Sequence, residues 1–168
     1  MTKGNTMQVR LATPTDNEAI RAIYNREVVG STVVFDLVPR TPAEQRRWLE
    51  EHSGPYPAVV AVVDDGTVAG FASLSPYRPK PAYATTVEDS VYVDPSHQGR
   101  GVGKALLNEL VRLASAHGFH AVVGRIVGDN EVSIGLHRAC GFELVGVEKE
   151  VGRKFGIWLD VVVMQCLL

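Results

Sequence analysis

This chain of 168 residues has few cysteines, and its cysteines and histidines do not have the spacing of a metal site. Only Cys140 and Cys166 are present, and isolated cysteines are more often small buried hydrophobes than catalytic thiols, which leaves thiol catalysis as the less favoured alternative. The five histidines form no paired ligand motif. We therefore expect no metal ion, and the two cysteines say little about redox chemistry.

Long apolar runs and an excess of one charge are also missing. The formal net charge of −2 gives no reason to expect nucleic acid or an anionic membrane surface as a partner. No apolar run approaches the length of a bilayer span, and residues 1–7 contain no apolar segment of the kind found in signal peptides. These absences predict a cytoplasmic protein.

What the chain does have is an ordinary globular composition, with 45% apolar and 21% charged residues. No linker or low-complexity segment divides it, so we expect one domain over residues 1–168, with its core from about residue 7. An antiparallel meander followed by a β-α-β unit indicates an α/β fold (α+β mixed sheet) with helices on both faces. The predicted strands are 7–12, 58–63, 67–74, 87–93, 121–127, 144–151 and 158–167; the predicted helices open at Thr13, at the Thr41 capping box, at Gly101 and at Glu131.

The most informative segment is a strand, a glycine-rich loop and the start of a helix, over residues 88–104. Three alternating glycines allow the backbone to approach a ligand closely, and Arg100 and Lys104 lie beside the positive end of the following helix. These features predict a pyrophosphate-binding loop, the alternative being an ordinary glycine-rich turn. The residues assigned to it are Gln98, Gly99, Arg100, Gly101, Val102, Gly103 and Lys104.

Two other phosphate loops fit this segment poorly. A P-loop requires Ser or Thr after Gly-Lys, whereas Ala105 follows Gly103-Lys104. A dinucleotide-binding loop requires a third glycine one residue later than Gly103. Neither motif is present.

The order Gln98-Gly-Arg-Gly-Val-Gly103 matches the Gln/Arg-x-x-Gly-x-Gly/Ala signature and resembles the Gcn5-related N-acetyltransferase (GNAT) superfamily. The preceding segment Ser90-Val-Tyr-Val-Asp-Pro95 and the landmarks Asn130, His137 and Gly141-Phe142 extend the resemblance. It implies a mixed, mostly antiparallel GNAT sheet and acetyl-CoA as cofactor. It also implies pantetheine contacts from Asn130 and from the strand residues Val91, Tyr92 and Val93.

Within the superfamily, residues 10–165 are similar to the phosphinothricin and methionine sulfone/sulfoximine N-acetyltransferases. The segments that carry this similarity include Thr86-Val-Glu-Asp-Ser-Val-Tyr-Val93 and Gly152-Arg-Lys-Phe-Gly-Ile-Trp-Leu-Asp160. Ile157 departs from the arginine that relatives often carry. The resemblance implies direct acetyl transfer, in a ternary complex, to the α-amine of a small amino acid or analogue, and a homodimer.

Two residues are candidates for proton transfer. An ammonium cannot attack a thioester, so a base must remove its proton, and the resemblance implies that Glu88 is that base. A partly apolar pocket near Tyr83 and Phe35 should raise the pKa of Glu88; the alternative is a surface charge at a strand edge. His137 stands where many relatives carry a tyrosine that protonates the leaving thiolate, although it could instead bind the cofactor or pack.

The acceptor site is the least determined part of the sequence. A small amino acid needs a cation for its carboxylate, and Arg78 is the favoured candidate because arginine binds carboxylates bidentately. Surface exposure, packing or a dimer interface are the alternatives for every candidate. Other reactions also stay open, namely acetylation of a peptide N-terminus or polyamine, or non-catalytic acyl-CoA binding. The candidates for the acceptor are Phe35, Arg78, Tyr83, Lys154, Phe155 and Trp158.

Overall fold

Seven strands form one sheet in the computed structural model, which describes residues 7–168. Their bounds are β1 Gln8–Leu11, β2 Ala58–Val62, β3 Val68–Pro76, β4 Thr86–Val93, β5 Ala121–Val127, β6 Glu143–Lys154 and β7 Ile157–Leu167. The strand order is β1-β2-β3-β4-β5-β7-β6, and only β4 and β5 run parallel. The predicted mixed, mostly antiparallel sheet is confirmed.

Within residues 7–168, four α-helices cover the two faces of this sheet, as predicted. They are α1 Asn17–Gly30, α2 Pro42–Glu51, α3 Val102–Ala116 and α4 Glu131–Ala139. One core places α3 and α4 against the sheet around Leu106, Leu110 and Phe142, and the other packs α1 and α2 around Ile20 and Phe71. None of the helices described over residues 7–168 has the length and apolarity that crossing a membrane requires.

Local sequence signals explain where the helices begin. The Thr41 side chain accepts a hydrogen bond from the Glu44 backbone N–H, and the Glu44 carboxylate accepts one from the Thr41 backbone N–H, so the predicted capping box is confirmed. Asn130 caps α4 by accepting from the Ser133 N–H at 3.1 Å. Helices α2 and α4 therefore begin at fixed points.

The parallel pair β4 and β5 separates part-way along its length. Pairing runs from Thr86 opposite Ala121 to Asp89 opposite Gly124 and then stops. Beyond this point β4 continues against β3 and β5 continues against β7. The two strands diverge to form a V-shaped cleft whose apex lies at Asp89 and Gly124.

The hairpin of β6 and β7 forms the edge of the sheet and also reaches across to the loop between α1 and α2. Lys154 is buried, and its Nζ donates to the backbone carbonyl of Val34 at 2.7 Å. Gly152 leaves room for the ring of Phe35, since a Cβ at Gly152 would lie only 2.4 Å from a ring carbon. The hairpin therefore helps to fix the position of Val34 and Phe35.

Candidate active site

The cleft between β4 and β5 opens into a cavity of about 530 Å³. One end is formed by the loop that precedes α3, and the other end by the loop between α1 and α2. Of the thirteen residues with predicted catalytic or cofactor roles, eleven border this cavity, and Phe35 among the acceptor candidates borders it too. The members that do so are Glu88, Val91, Tyr92, Val93, Gln98, Gly99, Gly101, Gly103, Lys104, Asn130, His137 and Phe35.

The loop before α3 presents backbone groups to the cavity. Gly99 and Gly101 have φ values of 73° and 80°, a left-handed conformation that favours glycine, and no atom occupies the space that a Cβ would fill. The first N–H groups of α3 have no partner within the helix and lie at its positive end. This arrangement suits an anionic ligand, as the sequence predicts.

Two predicted loop residues do not border the cavity. Val102 is buried in the core with its side chain against Gly70, so only its backbone N–H is available to a ligand. Arg100 is exposed and lies outside the lining. Their predicted contacts with the cofactor stay predictions.

Glu88 lies half-buried on β4 at the side of the cavity that faces α1. Burial raises the pKa of its carboxyl, and the positive charge of Arg125 on β5 partly opposes that rise. The direction agrees with the expectation from the sequence, although burial by the surrounding strands, rather than contact with Tyr83, is the cause. A carboxylate with a raised pKa at the edge of a cavity is suited to accept a proton.

Asp89 and His137 form a buried pair at the apex of the cleft. His137 Nε2 lies 2.9 Å from Asp89 Oδ2, and its Nδ1 lies 2.8 Å from the backbone carbonyl of Ser133. Burial by itself lowers the pKa of His137, but the hydrogen bond and charge of Asp89 outweigh burial and the pKa is raised. Both ring nitrogens are therefore engaged within the protein.

The acceptor end of the cavity is lined by residues from several distant segments. Phe35 and Asp36 come from the loop after α1, and the Tyr24 hydroxyl donates to the Asp36 carboxylate. Arg125 lines the same region from β5 and forms an ion pair with Glu148 on β6. An ammonium group and a carboxylate would each find an opposite charge here.

The remaining predicted acceptor residues lie elsewhere. Arg78 and Tyr83 are outside the lining, where the Arg78 guanidinium packs over Tyr77 at 5.0 Å and Tyr83 at 5.9 Å. Phe155 and Trp158 are about 60% exposed at the tip of the hairpin and do not reach the cavity of their own chain. Lys154 requires a correction, because its ammonium is buried against Val34 and does not face a substrate.

Sequence reasoning missed three residues of the site: Asp36, Asp89 and Arg125. Arg125 places a charge in the otherwise apolar strand β5, and Asp89 places one on the face of β4 that carries valines, which is a signal that burial must be compensated by a partner or a function. Asp36 has no such signal, because a charged residue in an irregular loop is ordinary. Its place in the cavity depends on the fold alone.

Comparison with known proteins agrees with this geometry. The model of the acetyltransferase (GNAT) family matches residues 17–142. The chain belongs to the GNAT family. It is 42% identical over 158 residues to phosphinothricin N-acetyltransferase from Streptomyces coelicolor, covering 92% of each chain. It is 40% identical to the L-methionine sulfoximine/L-methionine sulfone acetyltransferase of Pseudomonas paraeruginosa, covering 94% of this chain and 92% of the relative.

A solved GNAT structure extends the comparison to the cofactor. The phosphinothricin acetyltransferase of Sinorhizobium meliloti in complex with acetyl-CoA superimposes with a TM-score of 0.92 at 41% identity, covering 97% of this chain and 89% of that one. The chain of 168 residues is therefore, like these relatives, an N-acetyltransferase whose cofactor is acetyl-CoA. The cleft fits that molecule, because the open space above Gly99 and Gly101 and the free N–H groups of α3 suit a pyrophosphate, and the splayed strands leave room for an extended arm.

Proposed function

We propose that the protein transfers acetyl from acetyl-CoA to the α-amine of a small amino acid or amino-acid analogue, of the phosphinothricin or methionine sulfone/sulfoximine type. The observation that carries the proposal is one continuous cavity with an anion-binding loop at one end and Glu88 at the other. The relatives named for such substrates support the choice of acceptor.

Transfer is direct, within a ternary complex. Acetyl-CoA supplies the acetyl group as a thioester. Glu88 takes one proton from the ammonium group of the acceptor, directly or through water, and so frees the nitrogen lone pair. The nitrogen then forms its bond to the acetyl carbon, the carbon–sulfur bond breaks with its electron pair on sulfur, and the second amine proton balances that charge.

The chain also has residues that can hold the acceptor. Arg125 lies at the cavity wall beside Glu88 and can bind a carboxylate, while Phe35 covers the apolar part of the acceptor. The positive charge of Arg78 also acts on Glu88 from outside the cavity lining. The predicted carboxylate role of Arg78 is kept here, with Arg125 added.

The protein is proposed to act as a homodimer through the hairpin of β6 and β7. Apolar side chains are exposed along this edge and tip, and include Leu144, Val145, Val147, Val151, Phe155, Ile157 and Trp158. A strand edge with an apolar surface is a site of association. Light scattering should give a dimer mass at micromolar concentration, and Trp158→Glu should shift the protein toward monomer; a wild-type monomer would contradict the proposal.

A panel of acceptors tests the activity. Free amino acids, methionine sulfone, methionine sulfoximine, phosphinothricin, an alanine-initiated peptide and a polyamine would each be assayed by thiol release. We expect turnover of one or more of the amino acids or analogues, with intersecting initial-rate lines when both substrates are varied. Turnover of only the peptide or polyamine would replace the proposed acceptor, and acetyl-CoA binding without any turnover would indicate a non-catalytic binding module.

A further inference from the structure

The hydrogen-bond partners of the buried Asp89–His137 pair determine which ring nitrogens of His137 carry hydrogen. A carbonyl oxygen only accepts hydrogen bonds, so His137 Nδ1 must donate to Ser133. The other nitrogen faces Asp89 Oδ2. Asp89 Oδ1 has no hydrogen-bond partner among the described residues, so His137 is the one donor that stabilises this buried carboxylate.

We propose that Asp89 holds His137 with a hydrogen on both ring nitrogens, as a charge-neutral lock at the apex of the cleft, and that His137 is a positioning residue rather than the donor of the proton that the departing thiolate requires. The proposal rests on the proposed function only where it concerns turnover. It assigns a role to Asp89.

The geometry makes the pair a poor acid. If His137 gave up the Nε2 hydrogen, its lone pair would face the Asp89 carboxylate at 2.9 Å and the carboxylate would lose its donor. The raised pKa of His137 has the same physical origin, since Asp89 overcomes the effect of burial. A departing thiolate would therefore have to take its proton from a hydrogen bond on which the buried carboxylate depends.

The Asp89–His137 pair positions helix α4. Asn130, Ser133 and Leu136 on or next to α4 line the cavity, and Leu136 approaches the start of α3, where a Cβ on Gly103 would lie 3.1 Å from its side chain. Gly124 on β5 leaves space for the pair, because a Cβ there would lie 2.7 Å from the His137 ring and 3.1 Å from Asp89 Oδ1. The pair therefore ties α4 to β4 across the narrowest part of the cleft.

Other titratable groups lie near the pair and must be separated from it in any pH experiment. Glu88 and Tyr92 on β4 and Cys140 at the end of α4 each interact with the charge of Asp89, and Lys104 on α3 interacts with Cys140. β5 presents Gly124, which carries no charge. A spectroscopic reading of His137 itself avoids this overlap.

Nitrogen-15 NMR of the histidine rings gives that reading. At pH 7 we expect both nitrogens of wild-type His137, assigned by loss of its signals in His137→Gln, to carry hydrogen. In Asp89→Asn we expect a neutral ring with hydrogen on Nδ1 only. A neutral wild-type ring with an unprotonated Nε2 would overturn the proposal. This NMR measurement tests the state of the pair whether or not the protein acetylates any amine.

Kinetics of the double variant Asp89→Asn/His137→Gln tests whether His137 supplies the proton that the departing thiolate requires. This pair can hydrogen-bond but cannot supply a proton near neutral pH. We expect kcat to stay within a few-fold, the basic limb of its pH profile to be unchanged, and the Kd for acetyl-CoA to rise several-fold as α4 loosens. A fall in kcat of about 10²–10⁴-fold with loss of the basic limb would instead make His137 the acid. Asp65→Asn, in the β2–β3 turn outside the cavity, is the matched control.

Discussion

The two ends of the cavity are built in different ways. The end that faces the cofactor consists mainly of backbone: two glycines with positive φ, the first N–H groups of α3 and the edges of two diverging strands. The acceptor end consists of side chains, with Phe35 from the α1–α2 loop, Glu88 from β4 and Arg125 from β5.

This difference bears on what each end can recognise. Backbone recognition of a pyrophosphate needs a fixed local conformation, so one contiguous segment is sufficient. Side-chain recognition of an acceptor needs groups from separate segments held by long-range contacts, such as Lys154 to Val34. We expect changes at one end to leave binding at the other largely unaffected.

The largest expected effect is at Glu88, in the acceptor end. Glu88→Gln keeps the shape of the side chain and removes the base, so kcat/KM at neutral pH should fall by about 10²–10⁴-fold, with acetyl-CoA affinity nearly unchanged. If Glu88 is the proposed base, the wild type is active above the raised pKa of Glu88, whereas the variant depends on acceptor that is already deprotonated. The acid limb of its profile should therefore move up toward the pKa of the amine.

Steady-state kinetics from pH 6 to 9 and calorimetry with acetyl-CoA measure these two quantities. Glu109→Gln is the control, because Glu109 pairs with Arg112 on α3 and does not line the cavity. Near-normal turnover of Glu88→Gln across this range would exclude Glu88 as the base.

The second effect is at the cofactor end. Gly101→Val adds a side chain in the space above the loop and forces a branched residue into a left-handed conformation, which costs about 1–2 kcal/mol or more of folding free energy. Gly118, at the other end of α3, has φ 82° and is equally open, so Gly118→Val carries the same strain.

The comparison of these two variants isolates binding from strain. Both should lose similar stability in urea unfolding, but only Gly101→Val should lose most of its acetyl-CoA affinity by calorimetry. If the two variants bound acetyl-CoA with equal affinity, the loop before α3 would not be the pyrophosphate site.

The third effect is at the acceptor end. Lys154→Met removes the donor to the Val34 carbonyl, which costs about 1–3 kcal/mol when a buried acceptor is left unpaired. The α1–α2 loop should loosen, so the KM for the acceptor should rise while the Kd for acetyl-CoA stays constant. Lys149→Met, which breaks only an exposed ion pair with Asp160, should change neither. A parallel loss of acetyl-CoA affinity in Lys154→Met would show that the two ends are coupled.

How far the sequence predicts each end follows from the same difference. The glycine-rich turn before α3, the capping box at Thr41 and strand β5 are all predictable, because each depends on neighbouring residues. Lys154 was assigned to the substrate although its ammonium is buried, since no local pattern shows that a lysine at residue 154 will meet a carbonyl at residue 34. Asp89 and His137 were likewise not predicted as a pair, because 48 residues separate them.

The smallest effect concerns a contact between the two ends. Arg26 on α1 pairs with Asp94 at 2.9 Å, just before the cofactor loop. The pKa of Asp94 is lowered to about 2, first by the Ser96 hydroxyl, against the effect of burial, and then by the Ser96 N–H and Arg26. A depressed carboxyl pKa adds stability above its unfolded pKa, and this stability is lost as pH falls toward about 2.

Arg26→Gln should therefore cost at most about 1 kcal/mol at neutral pH, as for other exposed pairs. Its acid loss of stability should be smaller and should end at a slightly higher pH than in the wild type, because loss of Arg26 raises the folded pKa of Asp94 while Ser96 still binds the carboxylate. Urea unfolding from pH 2 to 7 measures this shift. A large fall in the acetyl-CoA affinity of Arg26→Gln at pH 7 would show that the Arg26–Asp94 pair couples the two ends of the cavity.

The position of β7 between β5 and β6 has a consequence for synthesis of the chain. β6 leaves the ribosome before β7, yet its only partner in the sheet is β7. Until β7 arrives, a 12-residue strand with several exposed apolar side chains has nothing to pair with, and β5 lacks one of its neighbours. The nascent protein is then most exposed to chaperones and to mispairing with another copy, at a stage when the cofactor loop and α3 are already complete.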